Sequence, residues 1–319
     1  MLRMLLTLLL SVPLFAAGGA YPDKPIRLIV PFPPGGGVDN FTRPLSVKLS
    51  EQLGQQLVIE NRAGAGGVIG SAVVAKAEPD GYTLLVSTDT SVYLTTLVVK
   101  NASYDPIKDL TPIISAAITP TVFVVHPSIA VESMKDLVQF AKESQHPIPY
   151  VTAGIGSLHH LTGESLVSRT DAKLLHVAYK GGAPAMTALL GGEVKVGVLI
   201  LSSVAPHIKS GRLRVIATIE GHRSKLYPDI PTISEGGVPG FAMPDTAIAI
   251  WGPAGLAPEI VARINSEVQK AMLAPSVRSA MEKGGYEATP GTAKEFSDQA
   301  VQRYATYQHM LKKVKLSNH

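Results

Sequence analysis

The stretch from Ile26 to Leu53 constrains the fold of this chain more than any other. It begins with IRLIV, an apolar run typical of a strand that is covered on both faces of a sheet. Pro33 and Pro34 end this strand because neither can donate a backbone hydrogen bond. Gly35-Gly36-Gly37 follow, and a backbone without side chains can approach a ligand closely. A helix with one leucine stripe completes the unit, which predicts an α/β fold.

This unit also predicts where an anion could bind. We expect Asp39 or Asn40 to cap the helix, Pro44 to lie in its first turn, and Asp39 to pair with Arg43 one turn later. The start of a helix carries about half a positive charge, and its first amides have no partner within the helix. A glycine loop that leads into a helix therefore forms a cradle for an anion.

The remaining sequence alternates strand-like and helix-like segments, which predicts largely parallel sheets with helices on both faces. Ligands of such sheets bind beyond the carboxyl ends of the strands. Residues 32–37, 63–67 and 87–91 should therefore lie along one edge. A second glycine loop, Gly154-Ile155-Gly156-Ser157, precedes a helix that starts near Leu158 and predicts a second cradle.

The length and the apolar runs predict two lobes joined by a hinge. Thr119-Pro120 interrupts two apolar runs and marks the first crossing between the lobes, and the chain should return near Met243. The predicted ranges are a signal peptide over 1–20, a first lobe of 21–121 plus 243–319, and a second lobe of 122–242.

The first residues have the pattern of an export signal. Arg3 precedes an apolar run from Leu5 to Phe15, and Gly18-Gly19-Ala20 are small residues suited to cleavage. The run is shorter than the ~20 residues that span a membrane, so we expect cleavage near Ala20 and a periplasmic protein without stable membrane insertion. An uncleaved N-terminal anchor is the alternative. The chain has no cysteine, which excludes disulfides and a lipid-modified cysteine anchor.

The charge of the chain argues against nucleic acid as a partner. The net charge is +4, and the basic residues are scattered rather than gathered in a block that would follow a phosphate backbone. Such a weak positive field would help to attract small anions without selecting among them.

Several motifs resemble the Bug (TctC-like) family, whose members are extracytoplasmic solute receptors of tripartite tricarboxylate transport systems. In chain order they include PFPPGGGVDNFTR, ENRAGAGGVIG, PDGYTLL, YDPIKDLTPI, GIGSLHHLTGE, YKGGAPAMTALLGGEV, PHIKSGRLRVIA and PDIPTISEGGVPGF. The resemblance implies a two-lobed periplasmic solute-binding protein fold with hinge strands. It also implies a small carboxylic acid bound between the lobes and a transport permease as partner. We expect a monomer without a cofactor.

The two cradles and the resemblance together predict a ligand site at the cleft. Leu199 stands where family members often carry an acidic or amide residue, which favours a plain carboxylate or an apolar or aromatic acid over an amino acid. The predicted ligand-binding residues are Phe32, Pro34, Gly35, Gly36, Ser87, Thr88, Gly154, Gly156, Ser157, His160, Tyr179 and Leu199.

The alternative function is an exported α/β enzyme, either a dinucleotide-dependent dehydrogenase or a hydrolase. Gly64 to Gly70 with Asp89 further on imitates a dinucleotide-binding loop, although it follows the second strand rather than the first. His160 and Glu164 lie one turn apart but have no third metal ligand at useful spacing. The chain has no G-x-S-x-G motif. We therefore expect no catalytic residue and no metal.

Overall fold

The computed structural model describes residues 21–314 and 316, and the predicted signal peptide lies outside these residues. Two mixed sheets form the framework, one of six strands in the order β11-β4-β10-β3-β1-β2 and one of five in the order β7-β6-β8-β5-β9. The strands are β1 (Ile26–Val30), β2 (Leu57–Asn61), β3 (Thr83–Thr88), β4 (Leu110–Thr119), β5 (Thr121–Val125), β6 (Ile148–Thr152), β7 (Leu174–Ala178), β8 (Val196–Ile200), β9 (Arg214–Thr218), β10 (Thr246–Pro253) and β11 (Glu287–Ala288).

Helices cover both faces of each sheet, as the alternating pattern predicts. They are α1 (Gly37–Leu53), α2 (Val68–Ala75), α3 (Thr95–Val98), α4 (Met134–Glu143), α5 (Leu158–Thr170), α6 (Gly182–Leu190), α7 (Leu201–Ile208), α8 (Pro258–Leu273), α9 (Pro275–Lys283) and α10 (Ala293–Lys313). A short 3-10 helix (Ala65–Gly67) precedes α2, and a π-helix (Thr90–Leu94) precedes α3.

The alternation of side chains along β1 shows how the first sheet is covered. Ile26, Leu28 and Val30 pack with the apolar residues of α1, α8 and α9. Ile29, between them, points to the other face and packs with residues of α2 and α10, where Trp251 is fully buried. An apolar residue at nearly every position of a strand is what burial on both faces requires.

The expectation of largely parallel sheets is wrong. The pairs β1–β2, β1–β3, β6–β7 and β6–β8 are parallel, whereas the pairs made by β5, β10 and β11 are antiparallel. The physical reason is the path of the chain, because it leaves β4 at Pro120 and continues as β5 in the other sheet without a crossover helix.

The predicted start of α1 is also wrong. The helix begins at Gly37 with Gly36 as its N-cap residue, so Asp39 and Asn40 lie inside the first turn and neither caps it. Pro44 therefore lies in the interior of the helix rather than in its first turn. The earlier start matters for the site, because it brings the unpaired amides of the first turn directly after the glycine loop.

The two crossings lie side by side. The chain enters the second sheet after Pro120 and returns to the first sheet with β10, which starts at Thr246. Residue Glu220, just after β9, forms a bridge with Met243 shortly before β10. The lobe boundaries at 121/122 and 242/243 stay a prediction. Within residues 21–314 and 316, none of the helices has the length and apolar character that membrane crossing needs.

Candidate ligand-binding cleft

A cavity lies between the two sheets, at the edge where the glycine loops meet. Its volume is about 50 Å³. Both lobes contribute to its wall, and among the residues that the structure describes no Asp, Glu, Lys or Arg lines it. It is lined by Phe32, Gly36, Gly37, Val38, Gly66, Thr88, Thr90, Ser91, Thr95, Ala153, Ser157, His159, Gly182, Leu199, Ile200, Ser203 and Thr246.

The start of α1 forms one wall of the cavity. Gly36, Gly37 and Val38 line it, and the first amides of the helix have no carbonyl partner within the helix. The preceding loop is held by Asp39, whose carboxylate accepts hydrogen bonds from the Gly35 amide at 2.9 Å and from Arg43 at 2.7 Å. The predicted Asp39–Arg43 pair is thus present, and it organises the loop without lining the cavity.

The pKa of Asp39 reflects this position. Burial disfavours the ionised carboxyl group, but the hydrogen bonds from Arg43, from the Gly35 amide and from Asn61 outweigh burial and lower the pKa. Asp39 therefore stays charged at neutral pH, and its charge is paired by Arg43 instead of facing an anionic ligand.

The start of α5 forms the facing wall. Gly154 and Gly156 have positive φ angles of 147° and 74°, which a residue with a Cβ rarely adopts. The Ser157 side chain caps the helix by accepting a hydrogen bond from the His160 amide at 3.2 Å. The amides of Gly154, Gly156 and Ser157 already have partners within residues 152–160. The first-turn amides at Leu158 and His159 are therefore the donors that this cradle can offer.

Two polar side chains in the wall have no hydrogen-bond partner among the described residues. They are His159, at the second position of α5, and Ser203, at the third position of α7. The Nδ1 atom of His159 and the Oγ atom of Ser203 are both buried, and each residue is 8% exposed. Burial lowers the pKa of His159 to about 4, so its imidazole is neutral at physiological pH.

Direct contacts between the lobes show that the cleft is closed. Thr95 of the first lobe donates a hydrogen bond to the Gly156 carbonyl at 3.3 Å. A Cβ added at Gly181 would lie 2.6 Å from Pro33 in the facing lobe, and one added at Gly37 would overlap the Ile200 side chain. These glycines allow the two backbones to approach each other at the mouth of the cavity.

The structure brings some of the predicted ligand-binding residues to the cavity and leaves others beside it. Phe32, Gly36, Thr88, Ser157 and Leu199 line it. The predicted residues outside the lining are Pro34, Gly35, Ser87, Gly154, Gly156, His160 and Tyr179. Roles in ligand binding stay a prediction for both groups.

The position of His160 explains why it does not line the cavity. It is fully buried behind the second cradle, where its Nδ1 accepts a hydrogen bond from the Gly156 amide at 3.3 Å. Its ring stacks on His176 with centroids 3.7 Å apart, and its Nε2 lies 3.7 Å from the Glu164 carboxylate. Among the described residues, no group of three or more His, Cys, Asp or Glu could hold a metal ion.

Sequence reasoning missed the contribution of the second lobe's later helices. Gly182 starts α6, while Ile200 and Ser203 lie at the start of α7, and the predicted ligand-binding residues include none of the three. His159 also lines the cavity and is absent from the predicted ligand-binding residues. The sequence did contain a signal for these positions. Each helix follows directly after an apolar strand, and the carboxyl end of such a strand lies at the edge of the sheet where ligands bind.

Two α/β lobes joined by adjacent crossings, with a closed and uncharged cavity between them, define the class of two-lobed solute-binding proteins. Residues 41–316 match the family described as "Tripartite tricarboxylate transporter family receptor", TctC. Protein BugT of Bordetella pertussis is 36% identical over 289 residues, which cover 89% of this chain and 88% of BugT.

Solved structures agree with this assignment. The periplasmic binding protein BugD is 30% identical with a TM-score of 0.87 and covers 94% of this chain and 100% of its own. The R. palustris protein Rpa4515, solved with adipate, is 31% identical with a TM-score of 0.87 and covers 92% of this chain and 97% of its own. The chain therefore belongs to the TctC family of solute receptors, and the alternative of an exported enzyme is not supported.

Proposed function

We propose that this protein binds a small carboxylate in the cleft as an extracytoplasmic receptor and presents it to a membrane permease. The observation that carries the proposal is the closed cavity between the starts of α1 and α5, which is lined by both lobes. Within the described part of the chain, no carboxylate, ammonium or guanidinium group lines it. A site that faces an anion with backbone amides and hydroxyl groups needs no side-chain cation.

The magnitudes are sufficient for binding. Each helix start stabilises an anion by about 0.3–1 kcal/mol, and more where water is excluded. Each hydrogen bond to a charged group adds about 1.5–3 kcal/mol. Two helix starts and two or three such bonds sum to about 4–11 kcal/mol, and burial of the ligand's apolar surface adds about 25 cal/mol per Å². Together these contributions offset the cost of association, about 4 kcal/mol or more.

The relatives support a carboxylate over other anions. Rpa4515 was solved with adipate, and it shares the fold along nearly its whole length with this chain. Leu199 and Ile200 give the second-lobe wall an apolar character that suits a hydrocarbon chain or ring. Leu199 provides no acceptor for an ammonium group, which argues against an amino acid.

The cellular role follows from the family and is equally a proposal. The receptor would act in the periplasm after removal of residues 1–20, and a tripartite tricarboxylate transport permease would recognise its closed form. We propose that it acts as a monomer, because closure of one chain completes the cavity from its own two lobes.

A thermal-shift panel tests the proposal directly. The purified protein is heated with adipate, succinate, butyrate, benzoate, inorganic phosphate, glutamate or NAD. An acid present at about 100 times its Kd should stabilise the protein by about 2.7 kcal/mol. The absence of a shift with every carboxylate, together with a shift with NAD, would contradict the proposal. Calorimetry on the strongest acid then gives its stoichiometry, which should be one per chain.

A further inference from the structure

We infer that His159 and Ser203 form a neutral hydrogen-bonding subsite for a hydroxyl group that the bound acid carries away from its carboxylate. This inference rests on the proposed function, because the two side chains lie in the wall of the same cavity. It assigns a selecting role to two side chains of the second lobe and narrows the ligand class to hydroxy acids.

The first step is a comparison of the polar side chains in the cavity wall. Except for these two, the hydroxyl groups in the wall are already engaged within the protein. Their partners are neighbouring hydroxyls or backbone groups, and the residues concerned are Thr88, Thr90, Ser91, Thr95, Ser157 and Thr246. His159 Nδ1 and Ser203 Oγ are the buried exceptions in this wall among the described residues.

The second step is the cost of leaving such groups unpaired. Buried polar groups in native proteins nearly always have a partner, and each exception calls for an explanation. Both residues are 8% exposed and line the same cavity, so a bound molecule can reach them. Gly182 lies beside Ser203 in this wall, since a Cβ there would make an ordinary contact with Ser203 Oγ at 3.5 Å.

The third step is the chemistry of the missing partner. A neutral imidazole has one nitrogen that donates and one that accepts, and a serine hydroxyl can do both. A second carboxylate could accept from both groups, but it would bring a buried charge to a part of the wall where, among the described residues, no side-chain cation balances it. A methyl group would leave every one of these atoms unpaired. A ligand hydroxyl both donates and accepts, and it carries no charge that the neutral subsite would have to balance.

Matched pairs of acids test the subsite. Butyrate is compared with 4-hydroxybutyrate, succinate with malate, and benzoate with 4-hydroxybenzoate, each titrated into the protein by calorimetry. In at least one pair the hydroxy acid should bind about tenfold or more tightly, since sites built for a hydroxyl reject analogues that lack it. Affinities that stay within threefold in every pair would overturn the inference.

Variants then assign the preference to the two residues. Ser203→Ala and His159→Leu should each reduce the preference for the hydroxy acid to about threefold or less. His159→Gln should retain part of it, because an amide also offers a donor and an acceptor. His146→Leu and Ser210→Ala, which change exposed residues outside the cavity, should keep the full preference.

The outcomes separate this inference from the proposed function. If the wild-type protein binds none of the acids, the proposed function itself fails. If plain and hydroxy acids bind equally well, or if neither variant alters the preference, only the subsite is refuted. Thermal unfolding of each variant without ligand shows that it is folded, and Ser203→Ala carries the test should His159→Leu be unstable.

Discussion

The backbone amide of Thr121 donates a hydrogen bond to Oε1 of Glu220 at 2.8 Å, and this bond joins the two crossings between the lobes. Glu220 is 2% exposed, and its second carboxyl oxygen has no hydrogen-bond partner among the described residues. Burial, with a smaller contribution from the charge of Asp245, raises the pKa of Glu220 to about 8. The hinge therefore contains a carboxyl group that is mostly protonated at neutral pH.

Glu220 should make the protein less stable as the pH rises. The pKa of Glu220 in the folded state, about 8, lies above the ordinary value of 4.5. Its stabilising contribution to the free energy of unfolding is therefore fully present below about pH 4.5. Between about pH 4.5 and pH 8 the unfolded chain releases this proton while the folded chain keeps it, and on the order of 5 kcal/mol of the free energy of unfolding is lost. Glu220→Gln mimics the protonated form and should raise the free energy of unfolding at pH 8 but not at pH 5. Urea denaturation at both pH values measures this, and an equal effect at both would contradict the assignment.

A second buried carboxylate, Asp89, fastens the last helix to the hinge. Its Oδ2 accepts hydrogen bonds from Arg303 at 2.5 Å and from Tyr307 at 2.9 Å, while its Oδ1 accepts one from the Ala247 amide at 2.8 Å. Removal of Arg303 would leave a buried negative charge without its partner.

We therefore expect Arg303→Met to lower the free energy of unfolding by about 3–5 kcal/mol. The double variant Arg303→Met with Asp89→Asn should recover part of this loss, because no unpaired charge remains. Denaturation of both variants and of Asp89→Asn gives the coupling energy. A double variant whose loss equals the sum of the single losses would show that the pair is not coupled.

The sequence indicated the strand and helix positions of both lobes because their apolar residues follow the periods of buried strands and amphipathic helices. The strand Ile26–Val30 has the predicted bounds. It did not indicate the direction of β5, since periodicity shows which face is buried but not which neighbour a strand pairs with. The sequence also did not indicate that Ile200 and Ser203 line the cavity. The start of α7 lies opposite the start of α1 only when the two lobes are closed, and periodicity carries no information about that contact.

Closure of the cleft should depend on Gly37. Its backbone is helical, so alanine would be acceptable within α1, but a Cβ there would overlap the side chains of Ile200 and Ser202 in the other lobe. Gly37→Ala should leave stability without ligand unchanged or slightly higher and weaken acid binding about tenfold or more. Titration of the best acid from the panel measures the affinity. The control is Gly191→Ala, whose Cβ would make only ordinary contacts within α6 and which should bind normally. Normal binding by Gly37→Ala would show that the lobes close differently.

The charge at Ser157 offers the most direct test of anion binding. Its side chain caps α5 and lines the cavity, and Asp and Asn cap a helix as well as Ser does. Ser157→Asp and Ser157→Asn therefore keep the cap and differ by one negative charge. Two like charges about 4 Å apart repel each other by ~4 kcal/mol at an effective dielectric constant near 20. The Ser157→Asp variant should therefore bind the acid at least ~100-fold more weakly than the Ser157→Asn variant. The thermal midpoint without ligand should not fall for Asp, because a negative charge at a helix start is stabilising. Equal affinities of the two variants for the acid, measured by calorimetry at low salt, would mean that the carboxylate does not bind at the start of α5.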